Sequence, residues 1–183
     1  IVNTDSYGGA RSARWGAAGP FWEAAALLGI PHIDSCAIGG TGYAPNSTNA
    51  DTLNPGNAFA GRIATSARAA PDLVISAGGL NDNNWLALAP YASADHARRG
   101  FDGAVVSYFR DLRAALPGSV LVATGPWTPP RDPSPVVVVQ AKVTTIANAL
   151  QAVSGPWVFI DNVNGGWRNS SGAKSASWLG PMS

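Results

Sequence analysis

One cysteine, two histidines, one methionine and few charges set the first limits on this chain. With Cys36 alone, an internal disulfide is excluded, and no thiolate metal cluster can form. Cys36 sits in "HIDSCAIGG", at the end of an apolar run, where a thiol is expected to pack as a small buried hydrophobe. The two histidines, His32 and His96, are far apart and supply no ligand set, so no metal is expected. Charged residues make up 13% of the chain. That is about half the usual globular share of roughly 25%, so Gly, Pro, Asn, Ser and Thr must carry the turns. The net charge is +1 and the 12 Lys and Arg are scattered, which leaves no basic footprint for nucleic acid and no polybasic membrane anchor. The longest apolar runs, such as "VVVV" at 136–139, fall far short of the roughly 20 residues that a membrane helix needs. "IGGTGYAP" follows an apolar run but has Pro45 where a dinucleotide fingerprint requires its third glycine, and no Gly-Lys-Ser/Thr occurs. No cofactor is expected.

What is present reads as a single domain over residues 1–183, with neither repeat nor linker. Short apolar runs alternate with helical patterns. Ile1-Val2 opens a strand that leads into Asp5-Ser6. Pro20 starts a helix, "PFWEAAALLG", that closes on Gly29. Strand-like runs follow at 31–38, 72–79, 119–125 and 156–161, with helical spacing in "NAFAGRIATSARA" and again from Phe101 to Leu116. The segment "PSPVVVVQAKVTTIANALQAV" sets valine's strand propensity against period. Val139, Val143, Ile146, Leu150 and Val153 step by four, three, four and three, and the period predicts a helix. This alternation, with nearly continuous apolar strands, predicts an α/β fold whose parallel sheet of about five strands is covered on both faces.

In such sheets, ligands bind beyond the carboxyl ends of the strands. Short polar residues and glycines gather there: Asp5-Ser6, Gly39 to Gly42, Gly78 to Asp82, Gly125-Pro126-Trp127, and Asn162 onward. An acyl-transfer site needs a hydroxyl at an exposed turn, donors aimed at the developing oxyanion, and a base. Ser6 offers the hydroxyl. Gly40, lacking Cβ, lets a backbone N–H approach a substrate, and the side chain of Asn81 is a neutral donor.

"TDSY", "AIGGTGY" and "AGGLNDN" resemble, in order, the first three sequence blocks of the SGNH hydrolases, also called the GDSL esterase/lipase family. The resemblance spans nearly the whole chain and implies a flavodoxin-like three-layer α/β/α sandwich. It further implies Ser6 as nucleophile, with Gly40 and Asn81 completing the oxyanion hole. The glycine-containing second and third blocks are similar to tail-associated members from phages of high-GC bacteria.

The chain departs from the family pattern in two places. Thr4 stands where the family has glycine before Asp-Ser. The last family block, Asp-X-X-His, which supplies base and orienting carboxylate, has no counterpart here: His32 lies within a strand-like run and His96 opens a helix. The 183 residues are therefore expected to be a portion cut at both ends, nearly inert without an imidazole. Seven tryptophans, among them Trp85, Trp127, Trp167 and Trp178 near the strand ends, suit an apolar or sugar-stacking cleft. The expected substrate is a small-molecule or polysaccharide ester, such as an acetyl ester, in an extracellular or virion-associated setting. The competing expectation is a non-catalytic glycan-binding or structural module of a larger assembly such as a phage tail.

Overall fold

A computed structural model describes residues 1–4, 20–44, 58–82, 94–126 and 136–163. Four strands form one parallel sheet: β1 (Val2–Thr4), β2 (Leu73–Ala77), β3 (Val120–Thr124) and β4 (Trp157–Ile160), in the order β1-β2-β3-β4. Between them in the chain run helices α1 (Pro20–Leu27), α2 (Ile63–Arg68), α3 (Ala94–Ala115) and α4 (Val136–Gln151), and a 3-10 turn over Phe59–Arg62 leads into α2. The α/β class is as expected, and α4 follows the period of its apolar residues rather than the propensity of its valines.

Among the described residues the sheet has four strands, which corrects the expectation of about five. Residues 31–38 run beside β1 and make one bridge, Val2 to Ser35. Val2 N–H donates to Asp34 O at 2.9 Å, Cys36 N–H to Val2 O at 2.9 Å, and Ile38 N–H to Thr4 O at 3.2 Å. The carbonyl of Cys36, which could extend this ladder, instead accepts from the guanidinium of Arg62. A side chain takes the place of a strand bond. Cys36 is itself half-buried on this edge rather than enclosed.

Registered neighbours in parallel strands share a face, which gives the sheet two unlike sides. Asn3, Ser76 and Ala123 lie on one side together with Val74 and Leu121, and all five are buried. Against them pack Phe101, Val105, Tyr108, Phe109 and Leu112 of α3 and Ile146, Ala149 and Leu150 of α4. Ile75, Val122 and Val158 point to the other side, where Ile75 and Val122 are half-buried and Val158 is 48% exposed. Coverage of both faces, as the apolar strands suggested, is therefore uneven among the described residues. On that second side, Phe21, Ala24 and Ala25 of α1 line a cavity of about 280 Å³ together with Val2, Leu73 and Ile75. No helix among the described residues is long and apolar enough to cross a membrane.

Tyr43 stands at the centre of the core. Its ring centroid lies 4.7 Å from Phe59, 5.5 Å from Tyr108, 5.9 Å from Phe109 and 6.2 Å from Phe101, in tilted and edge-on arrangements. Its hydroxyl finds no hydrogen-bond partner among the described residues, and burial pushes its phenol well above the ordinary value. A desolvated hydroxyl without a partner costs about 1–3 kcal/mol. Tyr43→Phe is expected to raise stability by about 1 kcal/mol in denaturant unfolding. A loss of that size would show that the hydroxyl is bonded after all.

Candidate active site

The carboxyl ends of the strands are joined by a small set of side chains. The turn 39–44 follows the edge segment beside β1. The turn 78–82 follows β2. Gly40 holds φ at +76° and Gly79 at +106°, a region that side-chain-bearing residues rarely adopt. An added Cβ at Gly42 would collide with the carboxylate of Asp82, and one at Gly78 with the ring of Phe59. Both glycines are set by close approach rather than by turn shape alone.

Two adjacent side chains of the second turn hold the first. Asn81 Nδ2 donates to Thr41 O at 3.1 Å. Asp82 accepts from Ala44 N–H at 2.8 Å and from Tyr43 N–H at 3.2 Å. Gly40 and Asn81, 41 positions apart in sequence, are thereby brought to one place. The carbonyl of Thr41 also fixes the orientation of the Asn81 amide, since it engages one of the two protons on Nδ2.

Buried cations brace both turns from below. Lys142 of α4, 2% exposed, donates from Nζ to Gly79 O at 2.8 Å and sits 5.8 Å from the centroid of Phe101. Arg62, 5% exposed, donates from Nη1 to Thr4 O at 2.8 Å and from Nη2 to Thr41 Oγ1 at 3.0 Å. Beyond β3 and β4, Asn162 packs against Gly125, and its Nδ2 donates to Pro126 O at 3.5 Å.

Of the three residues expected from sequence, the structure brings Gly40 and Asn81 together. Ser6 lies outside the described residues, as do Trp85, Trp127, Trp167 and Trp178. His32 is exposed and lines the cavity beside Asp72 and Leu73, at the amino end of β2, so it belongs to the opposite edge of the sheet. His96 falls in α3. Among the described residues, no group of three or more His, Cys, Asp and Glu could hold a metal ion.

Sequence reasoning missed Arg62, Lys142 and the clamping role of Asp82. A signal for the first two was present. Lys142 is three residues after Val139 and four before Ile146, so it shares their buried stripe. Arg62 likewise stands three after Phe59 and four before Ser66. No protein-family model matches the chain, and no curated protein matches it.

Gly42→Ala is expected to cost about 1–3 kcal/mol, because the new methyl must displace a buried carboxylate from two amide donors. A change within about 0.5 kcal/mol in denaturant unfolding would show that Asp82 yields freely.

The same carboxylate gives a pH prediction. Burial raises the Asp82 carboxyl above its ordinary value, while Lys142 and the amides of Ala44 and Tyr43 pull it down by less. A raised folded-state value means that the folded protein holds this proton more tightly than the unfolded chain does. The contribution of Asp82 is then greatest below the ordinary carboxylate range. It declines as pH rises from the unfolded to the folded value and is level above that. The stability of wild type relative to Asp82→Asn should fall across this window when unfolding free energies are measured as a pH series. Relative stability that climbs with pH would mean that the amides and Lys142 outweigh burial.

Proposed function

We propose that the protein is a serine ester hydrolase of SGNH type, with Ser6 as nucleophile and an oxyanion hole built from the N–H groups of Ser6 and Gly40 and the side-chain amide of Asn81. The observation that carries this reading is the contact between Asn81 Nδ2 and Thr41 O, which unites the two donor turns at the end of β1. Ser6 comes two residues after Thr4, the last residue of that strand, and two residues of chain reach at most about 7 Å. The fold supports the reading as far as a parallel α/β sheet with its turns gathered at one edge. The flavodoxin-like three-layer α/β/α arrangement is part of the proposal.

In the proposed reaction Ser6 Oγ attacks the carbonyl carbon of an ester, and a base takes the hydroxyl proton. The carbonyl oxygen becomes an oxyanion, held by the Gly40 amide and Asn81 Nδ2–H. Collapse expels the alcohol, which takes up the proton, and leaves an acyl-serine. Water then repeats the attack and frees the acid. The orientation that Thr41 imposes on the Asn81 amide is present before any substrate binds, and such preorganisation is what oxyanion stabilisation requires. His32 lies at the far edge of the sheet and does not suit the role of base. The proposed base is a histidine, paired with an aspartate, supplied from outside the 183 residues. The substrate proposed is a small-molecule or polysaccharide ester, met outside the cell or on a virion.

The test is labelling with a reactive fluorophosphonate, read by intact and peptide mass spectrometry on the longest natural form of the chain. Labelling is expected at Ser6 and should vanish in Ser6→Ala. Asn81→Ala should slow it by about 10²–10³-fold, the usual effect of removing one oxyanion donor. An unlabelled Ser6 on a chain that carries Asp-X-X-His would overturn the hydrolase reading in favour of a glycan-binding or structural module.

A further inference from the structure

The proposed reaction makes no use of Arg62, yet this buried cation touches both the end of β1 that leads to Ser6 and the turn that carries Gly40. Its guanidinium donates to the carbonyls of Thr4 and Cys36 through Nη1 and to the hydroxyl of Thr41 through Nη2. Three acceptors from two separate stretches of chain, 1–4 and 36–41, thus converge on one planar group. The ring of Phe59 fixes the plane, with the guanidinium carbon 4.5 Å from its centroid.

Each acceptor leads to one part of the site. Thr4 is the last residue of β1 and immediately precedes Asp5-Ser6 in sequence, so its carbonyl fixes the strand end from which Ser6 is reached. Thr41 Oγ1 accepts from Arg62 and donates to Ile38 O at 2.7 Å, which closes the turn holding Gly39 and Gly40. The carbonyl of the same Thr41 accepts from Asn81 Nδ2. A guanidinium carries five donors in a rigid fork, whereas a lysine ammonium is a single point with rotating protons. Charge alone could not hold three acceptors at fixed relative positions. A permanently charged group is also costly to bury unless its donors are used.

We propose that Arg62 is the positioning residue of this site: its guanidinium sets the end of β1 at Thr4, the Gly40 turn and, through Thr41, the Asn81 amide in one mutual arrangement. This inference rests on the hydrolase reading for the meaning of the arrangement, but not for its existence. The experiment reads the two separately.

Hydrogen exchange by mass spectrometry is measured on wild type, Arg62→Lys and Arg62→Gly, in peptides covering residues 1–8, 36–44 and 101–116. In both variants, exchange in the first two peptides should quicken about tenfold or more, while the α3 peptide keeps its wild-type protection. Guanidinium chloride at about 50 mM should restore protection in Arg62→Gly, and methylammonium chloride at the same concentration should not, because only the planar fork refits the three acceptors. Uniform loss across all three peptides without rescue would show a structural role only and overturn the proposal, as would an unchanged 36–44 peptide. Should both variants fail to fold, Thr41→Val removes the linking hydroxyl while leaving Arg62 in place. It should quicken exchange at 36–44, and its failure to do so would overturn the proposal.

Fluorophosphonate labelling of the same proteins addresses the hydrolase reading. Labelling at Ser6 should slow about tenfold or more in Arg62→Lys and recover with guanidinium in Arg62→Gly. Labelling at the wild-type rate in Arg62→Lys would overturn the positioning role alone. An unlabelled Ser6 on a wild-type chain that carries Asp-X-X-His, beside localised loss of protection in the variants, would sink the hydrolase reading and leave Arg62 as organiser of the two turns.

Discussion

A carboxylate shut away from water must find donors, and Asp82 finds them in the backbone amides of Tyr43 and Ala44. Much of the carboxyl edge of the sheet follows from this need. The turn 39–44 must come close enough for its amides to reach the carboxylate, and Gly42 must lack a Cβ to allow the approach. Once the turn is there, Asn81, the neighbour of Asp82, meets the carbonyl of Thr41. Two consecutive residues thus engage donors and acceptors of the same turn. Tyr43 is drawn into the aromatic core by the same move, and its ring then supports Phe59, which lies under both Gly78 and the guanidinium of Arg62. Core packing and site geometry are one arrangement here, not a scaffold with a site placed on it.

The two buried cations serve that arrangement from opposite flanks. Lys142 reaches from α4 to the carbonyl of Gly79, on the β3 side of the second turn. Arg62 reaches from the 3-10 turn to Thr4, Cys36 and Thr41, on the outer side of β1. Each binds backbone carbonyls. Some of these carbonyls also accept an amide, as Thr4 O does from Ile38 N–H, and the buried cation adds a second donor while being solvated by them. Arg113 does the same at the amino edge, donating to the carbonyls of Leu116, Pro117, Ser119 and Pro156. A low overall charge therefore goes with an unusual use of it, since some of its cations lie inside.

The apolar periods made most of the elements legible. Val139, Val143, Ile146 and Leu150 gave α4 its register despite its strand-favouring composition, and Phe101 to Leu116 did so for α3. The gathering of glycines and short polar residues after strands located the turns that carry Gly40 and Asn81. What stayed hidden depended on contacts between distant segments. The segment 31–38 has the composition of a strand, but its pairing is interrupted by a guanidinium 26 positions from Cys36. Arg62 and Lys142 read as ordinary surface cations unless their place on a buried stripe outweighs their charge. Asn3 lies between the apolar start of β1 and Asp5-Ser6, and nothing near it in sequence announces Ser66, Ser76 and Tyr108 as its companions.

Those companions bear on how so short a strand finds its place. β1 has three residues, too few for backbone bonds to distinguish one alignment against β2 from the next. Asn3 Nδ2 donates to Ser66 Oγ and to Tyr108 OH, both at 3.1 Å, and Ser76, the residue registered with Asn3, meets the same Tyr108 hydroxyl at 2.7 Å. A slip of one residue would turn Asn3 to the other face of the sheet and set Val2 or Thr4 in its place, breaking the bonds that Asn3 makes to Ser66 and Tyr108. The polar cluster thus works as an index mark for the sheet. That mark fixes where β1 ends, at Thr4, from a point deep in the core where no substrate reaches.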